Sequence, residues 1–229
     1  TPNGQFFRTD KQGFLAEIMQ TMYDARSIYK KKQLEFQKEK EKTTDPTGLK
    51  ELENLISRFK NLQLAKKVGL NSAYGAMGNE FFRFFDVRIA EAVTLAGQLS
   101  IRWIELKLNS FMNKTLKTDK VDYVLASDTD SIYLHLGPLA DKVFGQNKPN
   151  TPDMIEWMDK SCHKINGFIV DSYQELATYV HAYQQKMRMK RESLVDTAIW
   201  TAKKRYILNV WDQEGVRYKE PDLKIQGLE

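Results

Sequence analysis

The feature that most constrains this chain is the helical spacing of apolar residues over its first third, broken once by a short polar tip. From Gln12 to about Lys42, Leu15, Ile18, Met19, Met22 and Tyr29 fall near one stripe. The continuation, YKKKQLEFQKEKEK, is almost all charge and predicts a solvated helix projecting from the body. TTDPTG, Thr43 to Gly48, then predicts a turn, because Pro46 and Gly48 interrupt helix while Asp45 and Thr47 are capping types. A second helical stripe follows in Leu52, Leu55, Ile56, Phe59 and Leu62. Two long helices joined by so short a tip return antiparallel, as a helical hairpin.

A third helix is expected between Asp86 and Phe111, with Ala90, Thr94, Gly97, Ile101, Ile104, Leu108 and Phe111 on one stripe. Its small residues predict close approach of another element. Val121 to Leu125 and Ile132 to Leu136 read as paired strands, GPLADKVFGQNKPNTP as a connector with one short helical turn, and Asp153 to Gln185 as helix. From Lys186 the pattern turns to strand in KMRMKRESLV and again in KKRYILNVWDQEGVRYKEPDLKI, where Gln213-Glu214-Gly215 marks a bend. No internal repeat is visible. The sum is an α+β body with a helical projection.

At 229 residues the chain can bury a core without a disulfide or metal staple. Its single cysteine, Cys162, leaves no internal disulfide framework and fits a reducing cytosol. No apolar run reaches membrane-spanning length and TPNGQFFRTD lacks a signal-peptide pattern, so a soluble, intracellular protein is expected. A net charge of +5, from 35 basic and 30 acidic residues, permits a polyanionic partner without demanding one.

Three constellations carry chemistry. LASDTDSIYLHL sets Asp128 and Asp130 one residue apart at a hairpin bend, where two like charges cost stability unless a cation or open water relieves them. In KKVGLNSAYGAMGN a helix would place Lys67, Asn71, Tyr74 and Gly78 on one face. On the first helix Arg26 and Lys30 lie four apart and near the apolar stripe, so antiparallel packing would bring them toward Lys67. Three convergent cations call for an anion, and a triphosphate opposite two carboxylates suits a divalent metal. Each has a plain alternative: a polar turn, a helix end in which Gly75 and Gly78 are stop signals and Tyr74 packs in the core, and two ordinary surface cations.

Taken together these residues carry a resemblance. KKVGLNSAYG resembles the fingers motif of family B DNA polymerases, SDTDSIY their palm motif, and KKRY at Lys203 to Tyr206 the basic motif that holds the primer strand. TPNGQFF, NEFFRFFDVR, KKRYILNVWD and LKIQGLE resemble most of all the replicative polymerases of T-even-type phages. The resemblance implies fingers over residues 1–85, with the tip near 43–48, and a partial palm over 86–229 in which an antiparallel sheet packs on helices.

It also implies roles. Arg26, Lys30 and Lys67 would contact the phosphates of an incoming deoxynucleoside triphosphate, with Asn71 assisting, and Lys67 would protonate the departing pyrophosphate. Tyr74 and Gly75 would line the pocket of the nascent base pair. Asp130 would be the principal ligand of two Mg²⁺ ions, Asp128 adjacent and supporting, and Glu192 a nearby acid. Lys203, Lys204 and Arg205 would meet primer or template backbone, with Tyr206 beside the primer terminus. Two departures stand out: Ser127 replaces the usual glycine before the acidic pair, and Lys190 stands where the phage polymerases place an acid.

The chain contains no Asp-x-x-Ser-Leu-Tyr-Pro stretch, the family's further aspartate motif. The expectation is therefore a fingers and partial palm piece of a DNA-directed DNA polymerase, inactive alone. Its partners would be primer-template DNA, dNTP and a complementing segment with the upstream aspartate, thumb and exonuclease, in the cytoplasm of a phage-infected bacterium. The alternatives are a non-catalytic nucleic-acid-binding module and a coiled-coil interaction arm.

Overall fold

A computed structural model describes residues 1–227; Leu228 and Glu229, the end of the LKIQGLE stretch, lie outside the described residues. The fold is α+β, with five helices and five strands among the described residues: α1 (Phe14–Lys40), α2 (Pro46–Met77), α3 (Val87–Leu116), β1 (Val124–Asp128), β2 (Ser131–Leu134), α4 (Gly137–Phe144), α5 (Thr151–Tyr179), β3 (Ser193–Ala202), β4 (Arg205–Gln213) and β5 (Val216–Gln226). The chain divides into two compact units, residues 1–5 with 92–194 and residues 6–91 with 195–227.

In the first unit, α3, α5 and the β1–β2 hairpin share one core. Ile104, Leu108 and Met112 of α3 meet Ile165, Ile169, Tyr173 and Leu176 of α5, and Tyr123, Val124 and Leu136 close it from the hairpin side. Recurrence at three and four residues along both helices turns one stripe of each inward. Phe111 stacks on Phe168 with centroids 4.6 Å apart. Trp103 Nε1 donates to the carbonyl of Ser172 at 2.9 Å, satisfying a polar atom that burial would otherwise leave costly. Cys162 packs against this core. Burial pushes its thiol up to about 11, the nearby Arg191 and Asp159 acting in opposite directions.

The second unit pairs α1 with α2. Met22 packs over Gly69, Tyr29 and Phe36 both meet the Phe59 ring, and Lys40 bonds Glu53 at 2.8 Å. These pairings descend α2 as they climb α1, which is antiparallel packing, and put Arg26 at the level of Gln63 to Lys67. Asp45 caps α2 by accepting from the Gly48 amide at 2.7 Å, and Pro46 takes the first turn, where its missing N–H costs nothing. Gly48 therefore lies inside the helix rather than ending the turn. Gly75 is also helical, and the helix stops at Gly78. No residue of α1 is buried, and Leu52 alone is buried in α2.

The same unit holds a three-stranded sheet in the order β3-β4-β5. Leu208, Val210 and Val216 are buried. Strand starts at Ser193, so the expected strand over KMRMKRE is not formed. Glu214 and Gly215 make a two-residue turn between β4 and β5 with φ of 52° and 85°. At Gly227, φ is 66° and a Cβ would sit 2.4 Å from the Lys204 carbonyl oxygen, so only glycine fits there. Gly97, by contrast, has open space beside it, and the close approach expected along α3 does not occur at that residue.

Candidate active-site elements

The acidic pair belongs to the first unit. β1 and β2 pair antiparallel, Ser127 opposite Ile132 and Asp128 opposite Ser131, with a register irregularity between Val124 and Ala126. The bend falls where the sequence predicts, but β1 runs three residues later than expected and β2 is shorter, Ser131–Leu134 rather than Ile132 to Leu136. Val121 is not in a strand because Asn113 bonds both its amide and its carbonyl, and Asn109 takes the Tyr123 amide at 2.8 Å. These amide side chains on α3 anchor the entry to β1.

At the bend, the Asp130 amide donates to the Asp128 carbonyl at 2.6 Å across Thr129, whose φ is 56°. A β-branched residue in the left-handed region is a strained outlier, and such strain is retained where the surroundings over-determine it. Thr129 Oγ1 donates to Asp128 Oδ1 at 3.1 Å, and Ser131 Oγ to the Asp128 carbonyl at 3.2 Å. Asp128 is half-buried and Asp130 exposed. Burial, and secondarily the charge of Asp130, raises the pKa of Tyr173, so the carboxylate lies close to a buried ring of α5.

Carboxylate oxygens are the donor type a hard divalent cation takes. Among the described residues no group of three or more His, Cys, Asp or Glu side chains could hold a metal. Glu192 is exposed and precedes β3 in the same unit.

The cations belong to the second unit. Lys67, Asn71 and Tyr74 are exposed on an unbroken helix, their spacing placing them on one face. Tyr74 is 40% exposed, so it is not the core residue of the plainer alternative. A Cβ on Gly75 would meet nothing within 4 Å. Arg26 and Lys30 are half-buried on α1. Arg26 Nε and Gln63 Oε1 are buried atoms without a hydrogen-bond partner, a donor and an acceptor at one level of the helix pair. Lys30 Nζ is bonded to Glu214, a contact between residues far apart in sequence that no local pattern announces.

Lys203 and Lys204 form the β3–β4 turn, Lys204 with φ of 63°, and Arg205 and Tyr206 begin β4. Both lysines and Arg205 are exposed, and Tyr206 is half-buried. The basic run is therefore a turn and a strand start, not a continuous strand. Beside it Asp196 accepts from Asn209 Nδ2 and Trp211 Nε1, each at 2.8 Å, a polar tie that sequence reading missed. No helix among the described residues is long and apolar enough to cross a membrane.

A family model described as DNA polymerase family B matches residues 1–142. Over 176 residues the chain is 40% identical to a DNA-directed DNA polymerase of Escherichia phage RB69, covering 73% of this chain and 20% of that protein. It is 37% identical over 190 residues to the DNA-directed DNA polymerase of Enterobacteria phage T4, covering 79% and 21%. A DNA polymerase beta of African swine fever virus is 26% identical over 205 residues, 86% of this chain and 16% of that one. The chain spans about a fifth of the length of the phage relatives it matches.

Proposed function

The chain belongs to DNA polymerase family B, and on that premise we propose that it is the fingers and partial palm of a DNA-directed DNA polymerase, a nucleotidyltransferase that extends a primer with deoxynucleoside triphosphates. Residues 1–85 form the fingers and 86–229 the palm portion. The observation that carries the reading is the α1–α2 register, which sets Arg26 level with Gln63 to Lys67 and leaves the Arg26 Nε–H without a partner. A triphosphate supplies the acceptors such a group needs.

In this mechanism Arg26, Lys30 and Lys67 bind the phosphate chain, and Asn71, one turn along α2 from Lys67, assists. Lys67 holds a proton beside the leaving pyrophosphate and delivers it as the phosphoanhydride breaks. Tyr74 and Gly75 present a flat ring and a bare backbone to the nascent base pair. Asp130 and Asp128 would hold two Mg²⁺ ions, with Glu192 as a further acid near them. When bound, the ions lower the pKa of the primer 3′-hydroxyl and offset charge on the leaving phosphates. Lys203, Lys204 and Arg205 bind DNA backbone without reading its sequence, and Tyr206 packs beside the primer terminus.

The ligand set is completed by a complementing segment bearing the family's upstream aspartate, and the thumb and exonuclease lie there too. The complex works in the cytoplasm of a phage-infected bacterium. Primer extension tests this: the chain alone incorporates no nucleotide, the mixture with that segment does, and Asp130→Ala abolishes the restored activity. Normal extension by the Asp130→Ala mixture would refute the metal role. The second reading, a non-catalytic nucleic-acid binder, draws on the exposed basic turn. It expects salt-dependent DNA affinity that neither dNTP nor Mg²⁺ alters.

A further inference from the structure

Of Arg26, Lys30 and Lys67, only Lys30 has a carboxylate partner among the described residues, and that partner is Glu214 on the β4–β5 turn. The two side chains are 34% and 24% exposed, so the pair is partly withdrawn from water. The turn that carries Glu214 is unusual. A two-residue hairpin loop with both φ values positive favours Asn-Gly or Asp-Gly, yet here a long, flexible glutamate takes the first position. Gly215 supplies the second, and a Cβ there would lie 3.1 Å from Lys38 Nζ.

The turn is braced from behind. The Asp212 side chain, 2% exposed, accepts from the Gly215 amide at 2.8 Å and from Arg217 Nε at 3.0 Å. A buried, doubly bonded aspartate thus fixes the loop, and the loop holds a second carboxylate against the finger helix. Backbone strain at a non-glycine residue is kept where it serves placement.

We propose that Glu214 is a resident counter-anion for Lys30, one that the triphosphate must displace before the fingers engage it. The inference rests on reading Arg26, Lys30 and Lys67 as the triphosphate site. It makes Glu214 a positioning residue that acts through Lys30. A triphosphate brings enough charge to outcompete one carboxylate. The carboxylate therefore lowers affinity most for the ligand that engages Lys30 most strongly, and a diphosphate, which gains less from that cation, is penalised less.

The test uses the full 229-residue chain and calorimetric titration with dATP and dADP. Glu214→Gln keeps size and turn geometry and removes the charge; it should tighten dATP binding about fivefold, the scale of a partly exposed ion pair, and tighten dADP binding less. In a Lys30→Ala background the same change should do nothing, because the cation it competes for is gone. A merely structural role for Glu214 would instead lower thermal stability and leave affinity unchanged or weaker in both backgrounds. If Lys67→Ala weakens dATP binding but Glu214→Gln does not strengthen it, the counter-anion role is overturned while the site stands. If neither Lys67→Ala nor Lys30→Ala affects binding, or no form binds, both fall together.

Discussion

The α3–α5 core and the α1–α2 pair are built from helices of similar length, yet one hides its apolar stripe and the other does not. In the core, Ile104 and Met112 reach 0% exposure and Leu108 2%. Along α1 nothing is buried, and Ile18, Tyr23 and Ile28 stand about half exposed. α1 and α2 cover one another along one face and α1 meets the sheet at the β4–β5 turn, whereas α3 and α5 also have the β1–β2 hairpin to close over their seam. The lesson is a division of labour. Asp128 and Asp130 hang from the well-packed unit, and Arg26, Lys30 and Lys67 line the thinly packed one.

The largest test of that contrast is Ile104→Ala, which leaves a cavity among α3, α5 and the hairpin and should cost about 3–4 kcal/mol in denaturant unfolding followed at core amides by hydrogen exchange. A loss below about 1 kcal/mol would mean the core collapses freely and is not the rigid partner. Next comes alkaline pH. The Cys162 thiol is held above its ordinary value of 9.0, at about 11, so the folded unit binds that proton more tightly than the unfolded chain. Its contribution is complete below pH 9 and fades as pH rises toward 11, by about 2 kcal/mol. Comparison with Cys162→Ala isolates the effect from titrating lysines and tyrosines, and identical pH slopes would defeat it. Smallest is Phe59→Ala, which removes both ring contacts of the helix pair and should cost about 1.5 kcal/mol, with faster exchange confined to α1 and α2. Slowed exchange there, or loss spreading to α5, would break the comparison.

What the sequence disclosed followed the range of the interactions involved. The long helices were legible because periodicity and the Asp45–Pro46 start act within a few residues. Gly48 misled as a breaker, since within the first helical turn, where its amide takes the Asp45 cap, its freedom costs little. The acidic hairpin was legible with its bend, but its first strand was placed too early, because Asn109 and Asn113, on another element, take the backbone groups that would have begun β1 at Val121. α4 runs from Gly137 to Phe144 where only one short turn was expected, Pro138 sitting harmlessly in its first turn. For the site, the residue types and their helical spacing were visible. The Lys30–Glu214 pair and the Asp212 brace were not, being products of tertiary approach between a helix and a distant turn.

The masked thiol has a practical corollary. A side chain that stays protonated at neutral pH reacts sluggishly with maleimides, so the native chain is close to being label-silent. A cysteine introduced at the exposed Thr44, between α1 and α2, would then carry a fluorophore almost alone, giving a reporter of the helix pair's position without first stripping the protein of its own sulfhydryl.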